Sequence, residues 1–479
     1  MATRPDATRD TDTYDLVVVG CGIAGLSAAV TAAEDDARVV VLERSTYEER
    51  GGNSRYTEAY LRMEDEEHVA DHFVDDLLTS SFGHSDAQLA HFLAEAIPPS
   101  IAWLREHGVR FTSRETQFLS QSRPRLLPDG GGLAIVEALT AAAERLGVTF
   151  LFETAATALI QDQRGEVVGV RARGRDRGLI EIRGQAVLLA SGGFEGNTEM
   201  LARYFGPDAL HLRPIARGGR FNKGEGIEMA LAIGAEPSGQ FDSFHAEPID
   251  PRSEVTEATV MVYPYGILVN RLGQRFVDEG RTTVDHWYEA VAREIRRQPE
   301  SIAYFVADQR LFEIRGYRRG LRTDQPLIEA PTPAELARKL DIPEEPFVQT
   351  LERFNAAAPA EDRQRPFDPF HLDGNATQGL QPPKSNWALS INRPPLVACP
   401  VACSVVFTFG GLKVNTNAQV IDTDGRVIPG LYAAGETAGF YYGSYPGATS
   451  VLRALVFGRA AWLGADAVVN WRRTAQAVG

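Results

Sequence analysis

The patterned part of the chain opens with a short apolar run, Asp15-Leu16-Val17-Val18-Val19, that stops at Gly20-Cys21-Gly22-Ile23-Ala24-Gly25. An unbroken apolar run of this length bounded by glycine predicts a strand buried on both faces. Residues 26–34 are alanine-rich and favour a helix, and Arg38-Val39-Val40-Val41-Leu42 predicts a second buried strand ending at Glu43. The three together predict a β-α-β unit. Further on, Ala158-Leu159-Ile160 and Val167-Val168-Gly169-Val170 flank Gln163-Arg164-Gly165, the pattern of a hairpin. Ala186-Val187-Leu188-Leu189-Ala190 predicts a strand running into Ser191-Gly192-Gly193, and Gly430-Leu431-Tyr432-Ala433-Ala434-Gly435-Glu436 repeats that strand-then-glycine order. Thr449-Ser450 opens a predicted apolar helix. After residue 240 the pattern gives way to proline-rich charged segments such as Glu329-Ala330-Pro331-Thr332-Pro333, and apolar strands return near residue 401. The longest uncharged run, residues 396–412, holds Pro400, Ser404, Thr408 and a glycine pair, which predicts buried strands and turns instead of a membrane span.

The glycines of the first turn have separate tasks. Gly20 permits the tight turn, Gly22 lets the backbone approach a pyrophosphate, and Gly25 lets the helix pack close to the strand. Phosphates then sit at the positive end of the helix. Glu43, eighteen residues after Gly25, is spaced to accept hydrogen bonds from a ribose diol. With strand, helix and acidic residue all in place, the motif predicts a dinucleotide site. The later strand-then-glycine segments would wrap a long cofactor from both sides, which favours FAD over a nicotinamide, and no second full GxGxxG is present for NAD(P)H.

Composition narrows the setting. The 479 residues are 44% hydrophobic and 24% charged, as in folded globular chains of two or three domains. A net charge of −15 disfavours nucleic acid and anionic lipid as partners. Three cysteines are too few for a disulfide framework and are not spaced for zinc, so a reduced, cytoplasmic setting is expected. Residues 1–15 lack an apolar signal segment and read as a disordered tail, and no integral membrane segment is expected.

A set of motifs spans nearly the whole chain: GCGIAG, Arg50-Gly51-Gly52-Asn53-Ser54, Leu189-Ala190-Ser191-Gly192-Gly193-Phe194, the segment from Asn270 to Glu279, Phe409-Gly410-Gly411, Ala433-Ala434-Gly435-Glu436 and Val456-Phe457-Gly458-Arg459. In this order the chain resembles the fumarate reductase and succinate dehydrogenase flavoprotein superfamily. Arg50 to Ser54 and Phe407 to Leu412 look most like the FAD-dependent tricarballylate dehydrogenase branch, and Tyr445-Pro446-Gly447 also looks like the 3-ketosteroid Δ1-dehydrogenases. The resemblance implies an α/β fold: a discontinuous Rossmann-type FAD-binding domain, residues 1–240 and 405–479, with an inserted α+β cap domain, residues 241–404. It implies cofactor contacts from Gly20, Gly22, Ile23, Ala24 and Gly25, from Glu43 and Arg44, and from Gly51, Gly52, Asn53 and Ser54. Ala155, Ala190, Ser191, Gly192, Gly435, Glu436, Ser450, Val451 and Leu452 complete that set. The Gly51-to-Ser54 segment has no histidine of the kind the succinate dehydrogenase branch attaches to flavin, so the FAD is expected to be non-covalent.

The same resemblance implies chemistry at a carbon–carbon bond beside a carbonyl, with hydride passing to or from the flavin. Where fumarate reductases carry a histidine before the glycine pair and an arginine in the C-terminal loop, this chain has Phe407 and Tyr445. The dicarboxylate clamp is therefore incomplete, and a ketone or a differently held acid is favoured. In the ketosteroid enzymes the tyrosine matching Tyr445 holds the substrate ketone; Tyr442 and Tyr441 lie in the same loop, and Gly447, Phe407 and Thr408 would line the substrate. Such a hydrogen bond polarises the carbonyl and makes its α-hydrogen acidic. The ketosteroid base has no counterpart in Gly280-Arg281-Thr282-Thr283. Tyr265 is an alternative base, Glu279 and Arg281 form either a proton path or an ion pair, and His245 is a substrate-binding or a structural histidine. Arg315, Arg318, Arg319 and Arg322 form a basic cluster read as a solvated face or a steering patch for carboxylates.

The expected protein is thus an FAD-dependent dehydrogenase that introduces an α,β double bond into a small cyclic ketone or keto acid. A polycarboxylate dehydrogenase and an enoate reductase running the opposite way share the same site plan. The electron acceptor, whether oxygen, a quinone or a carrier protein, is left open, and a flavoprotein that only passes electrons is disfavoured by the cap and the tyrosine loop.

Overall fold

The strand Thr13–Val19 forms the middle of an eight-stranded sheet because both of its faces are covered, leaving Leu16, Val17 and Val18 fully buried. It pairs in parallel with Val39–Leu42 on one side and Gly178–Leu189 on the other. The sheet continues through Thr149–Leu151 at one edge and Val427–Ala433 followed by Gln419–Ile421 at the other. Thr154–Gln161 and Val167–Gly174 form the expected hairpin, with Leu159 opposite Val170. The helix Ile23–Glu34 packs between Gly131–Arg145 and the C-terminal helix Ser450–Val478. A Cβ at Gly25 would lie 2.0 Å from the Gly20 carbonyl oxygen, so only glycine allows this helix so near the strand. The computed structural model describes residues 13–114, 125–314, 316–360 and 367–478. Arg315 and the first twelve residues of the expected tail lie outside them.

A second sheet is built on the strand Leu396–Thr408, which pairs antiparallel with Phe244–Ile249, Ile302–Asp308 and Ile328–Ala330, and in parallel with Arg213–Pro214. Ile267–Asn270 closes it against Ile302–Asp308. Alternation assigns the faces: Leu268, Phe305, Val397 and Cys399 pack under the helix Val284–Arg296, while Ile267, Val306, Leu396 and Ala398 pack under Pro333–Leu340 and Glu344–Ala357. The expected mixed α/β architecture is the one observed.

One detail departs from the sequence reading. Residues 396–408 form one continuous strand that passes through Pro400 instead of breaking there. Pro400 faces Tyr304 on one side, and on the other it falls in the gap between the partners of Ala398 and Ala402, so its missing N–H leaves no ladder bond unmade. Tyr263-Pro264-Tyr265 forms a turn of 3-10 helix leading into Ile267–Asn270. The register between Phe244–Ile249 and the long strand slips after His245, which faces Phe407 while Ala246 faces Val405; Val406 is the extra residue of the bulge. Among the described residues no helix is long and apolar enough to cross a membrane.

Candidate functional site

A cleft runs across the C-terminal ends of the parallel strands, where open α/β sheets bind their ligands. Gly20, Gly22, Ile23 and Ala24 line it, followed by Glu43, Arg44, Gly51, Gly52, Asn53 and Ser54. Ala155, Ala190, Ser191, Gly192, Gly435, Glu436, Ser450 and Val451 complete its walls. Gly25 lies behind the turn, and Leu452 is fully buried in the core; neither faces the cleft.

The local geometry suits a dinucleotide. The helix Ile23–Glu34 has no side-chain cap of its own, and the Ile23 N–H donates to Ser54 Oγ at 3.2 Å from across the cleft. Glu43 accepts the Cys21 N–H at 3.0 Å and the Ser45 N–H at 2.8 Å, one on each oxygen, which keeps a second lone pair on each for a diol. Asn53 Oδ1 and Ser191 Oγ are buried in the cleft without a partner among the described residues, as groups awaiting a polar ligand would be. Arg44 is braced by Glu225 at 2.5 Å.

Below the cleft, Glu195 and Glu436 meet in the interior. Asn222 Nδ2 donates to Glu195 Oε1 at 2.6 Å, joined there by Asn53 Nδ2, and the Thr408 N–H donates to Glu436 Oε1 at 2.7 Å. Burial raises both carboxyl groups above their ordinary range, and the Glu436 charge raises Glu195 further. Arg453, 3% exposed, brings a cation to the cleft wall: Nη1 donates to the Ala438 carbonyl at 3.3 Å and the guanidinium lies 4.6 Å from the Tyr441 ring centre. One charged residue within the apolar segment 451–457 was the sequence signal for it.

The cleft opens into a cavity of about 1260 Å³ walled on one side by the second sheet and the helix Val284–Arg296. Thr57, Glu257, Val406, Phe407, Ser450 and Val451 line both and mark the junction. Three rings wall it: His245 and Tyr445 lie 4.5 Å apart between centres, and Phe407 lies 5.3 Å from His245 and 5.0 Å from Tyr445. The Tyr445 hydroxyl accepts the Thr449 N–H at 2.8 Å and the Ser450 N–H at 2.9 Å, and its own proton goes to Ser450 Oγ at 3.1 Å. His245 Nε2 lies 2.8 Å from the Tyr288 hydroxyl, while Nδ1 is buried without a partner among the described residues. Burial, aided by Arg293, lowers the His245 pKa to about 3, so the ring is neutral.

The structure also brings carboxylates here that sequence reasoning did not single out. Arg322 donates to Glu58 at 2.7 Å and to Glu257 at 3.2 Å, at the cavity wall rather than on a solvated face. Burial raises the Glu257 pKa to about 7 and, with Glu257 as a neighbour, that of Glu247 to about 8. Glu257 also holds a left-handed backbone, φ +52°, a strain that clusters at working sites. Neither feature is visible in a sequence.

Other expected residues stand apart from the cavity. Glu279 is fully buried, accepting the Leu268 N–H at 2.8 Å and pairing with Arg275 at 2.5 Å, and Arg281 stacks on Trp287 in an exposed position. Tyr265 packs edge-on against Phe367 in the cap interior. The Tyr442 hydroxyl accepts the Gly239 N–H at 2.9 Å, and Thr408 serves Glu436. Gly447 does line the cavity. Arg318 and Arg319 are at its rim.

The profile of the FAD binding domain family matches residues 15–452. The chain is 26% identical over 455 residues to the NADH:fumarate oxidoreductase of Klebsiella pneumoniae (strain 342), covering 93% of this chain and 47% of that protein, so it spans about half of that relative. It is 27% identical over 537 residues to the 4-oxocyclohexanecarboxylate 2-dehydrogenase of Sinomonas cyclohexanicum, covering 93% and 91%. Among solved structures, the open conformation of a flavocytochrome c3 fumarate reductase aligns with a TM-score of 0.78 at 25% identity, over 96% of this chain and 79% of that one.

Proposed function

The chain belongs to the FAD binding domain family, within the fumarate reductase and succinate dehydrogenase flavoprotein superfamily, and we propose that it desaturates the bond next to the carbonyl of a small cyclic ketone or keto acid. It is an FAD-dependent oxidoreductase. The observation that carries the finer reading is the aromatic wall of Phe407, Tyr445 and His245 where cleft meets cavity, which offers an apolar ring-lined surface to a cyclic substrate. The likeness to a 4-oxocyclohexanecarboxylate 2-dehydrogenase over 91% of its length supports the same class.

The cleft residues would hold FAD without a covalent bond, its pyrophosphate over Gly22 and its ribose at Glu43. When bound, FAD supplies the two-electron hydride acceptor that desaturation requires. Tyr445 turns its proton from Ser450 Oγ to the substrate carbonyl and stabilises the charge that develops there. Glu257, with a pKa of about 7 and oriented by Arg322, takes the α-proton; a carboxylate so tuned is matched to work at neutral pH. His245, held by Tyr288, packs against the Tyr445 ring and fixes it beside the substrate.

Anaerobic addition of cyclohexanone and of 4-oxocyclohexanecarboxylate to the oxidised holoenzyme tests this. Flavin absorbance should fall and a conjugated enone should form. If no saturated compound bleaches the flavin, while fumarate-like enoates reoxidise the reduced protein, the enoate reductase reading replaces this one; the fold shared with the flavocytochrome fumarate reductase is its support.

A further inference from the structure

We propose that Arg125, with Arg62 beside it, forms a carboxylate-binding subsite in the cavity, so that the substrate is an acid whose carboxylate sits at the Gly447 end. The inference rests on the desaturase reading above and adds the anionic class of the substrate.

Arg125 begins the strand Arg125–Pro128 and lines the cavity with its side chain 18% exposed. Its one side-chain hydrogen bond among the described residues goes to Asp285 at 3.5 Å, the long limit for such a bond. A guanidinium carries five N–H donors, so four of them have no acceptor among the described residues. A Cβ built on Gly447 would lie 3.9 and 4.0 Å from Nη2 and Nη1, which places the fork against the loop that carries Tyr445. The missing side chain at Gly447 leaves the room in front of the fork.

Arg62 supplies the second cation. Its Nη2 pairs with Asp76, its Nη1 donates to the Pro446 carbonyl, and its backbone N–H donates to the Ala448 carbonyl at 2.9 Å. Arg62 thus fixes the loop while adding positive charge beside Arg125. The two guanidinium groups repel: burial holds Arg62 below its ordinary pKa and Arg125 lowers it further. An anion between them relieves that repulsion, and a planar carboxylate matches the fork in a bidentate way. Arg318 and Arg319 at the rim give a local attraction for anions on a chain of net charge −15.

The probe is cyclohexanecarboxylate, which has no ketone to oxidise, titrated into holoenzyme while the flavin spectrum is followed. It should bind at least ~30-fold tighter than cyclohexanecarboxamide, the scale of a lost charge-assisted pair, and inorganic phosphate should not displace it at equal concentration. Arg125→Leu should cut that preference for the acid to a few-fold, and Arg125→Lys should restore part of it. Equal binding of acid and amide by the parent protein, displacement by phosphate, or an undiminished preference in Arg125→Leu would each overturn the subsite. The parent-protein comparison stands even if the variant does not fold. Because binding is read without turnover, failure of the desaturase reading shows separately, as absence of bleaching by any ketone.

Discussion

The phenolic oxygen of Tyr445 accepts the Ser450 N–H at 2.9 Å and donates to the Ser450 hydroxyl at 3.1 Å, so a side chain five residues upstream takes the place of a helix cap. The Thr449 N–H completes the arrangement at 2.8 Å. Hydrogen bonds in a chain polarise one another, so two accepted N–H bonds strengthen whichever bond the hydroxyl donates.

Tyr445→Phe should therefore have two effects. The anaerobic flavin-reduction rate should fall by ~100-fold or more, the scale of one lost oxyanion donor, with FAD content retained. Two N–H groups also lose their acceptor, so stability should fall by on the order of 1–3 kcal/mol and Tm with it. A rate within a few-fold of the parent, with Tm lowered, would leave Tyr445 a cap and nothing more.

Gly22 and Gly25 should fail differently. A Cβ at Gly22 would come only to 3.3 Å of Ser54 Oγ, so Gly22→Val should fold, place its methyl groups in the cleft and lose FAD. Gly25→Val meets the Gly20 carbonyl and should not fold stably. Circular dichroism and flavin content after gel filtration separate the two; retained FAD in Gly22→Val would contradict the pyrophosphate placement.

Glu247 should make stability fall with rising pH. Its carboxyl titrates near 8 in the folded chain and near 4.5 when unfolded, so between those values the native state holds a proton that the unfolded state has released. Urea unfolding should lose up to about 1.4 kcal/mol per pH unit from this group across that window. Glu247→Gln, neutral at every pH, should flatten the profile there; an unchanged profile would place the proton elsewhere.

Arg453→Met removes the cation from the cleft wall while keeping bulk. The flavin midpoint potential should become more negative by tens of millivolts, because positive charge near the ring favours its reduced, anionic form. An unmoved potential in a dye-equilibration titration would show that the cation is cancelled by the Glu195–Glu436 pair.

The β-α-β unit and its glycines were legible because both rest on local periodicity and on contacts between near neighbours in sequence. The tyrosine loop was legible as a motif, but not the direction of its hydroxyls. Glu58, Glu257 and Arg322 come from three separate segments, and only the long-range pairing of the cap assembles them. Glu279 shows the converse. Its motif suggested a proton path, yet the turn after Ile267–Asn270 points the carboxylate inward to Arg275 and the Leu268 N–H, a choice of face that no local pattern fixes. Arg125 lay unnoticed in the sequence because an arginine beside two leucines reads as an ordinary strand end.

The bulge at His245 and Val406 interrupts the two-stranded ribbon through which the chain passes from one sheet to the other. Paired strands resist stretching and shear along their length but yield to bending out of plane, and an irregular register concentrates that compliance at one point. The flexure lies beside the ring wall, with the Val406 carbonyl held by Asn53 at 2.9 Å in the cofactor cleft. A change of angle at the bulge would therefore carry the His245 ring, Phe407 and the contact to Asn53 together, so the ring wall and the cofactor cleft share one joint.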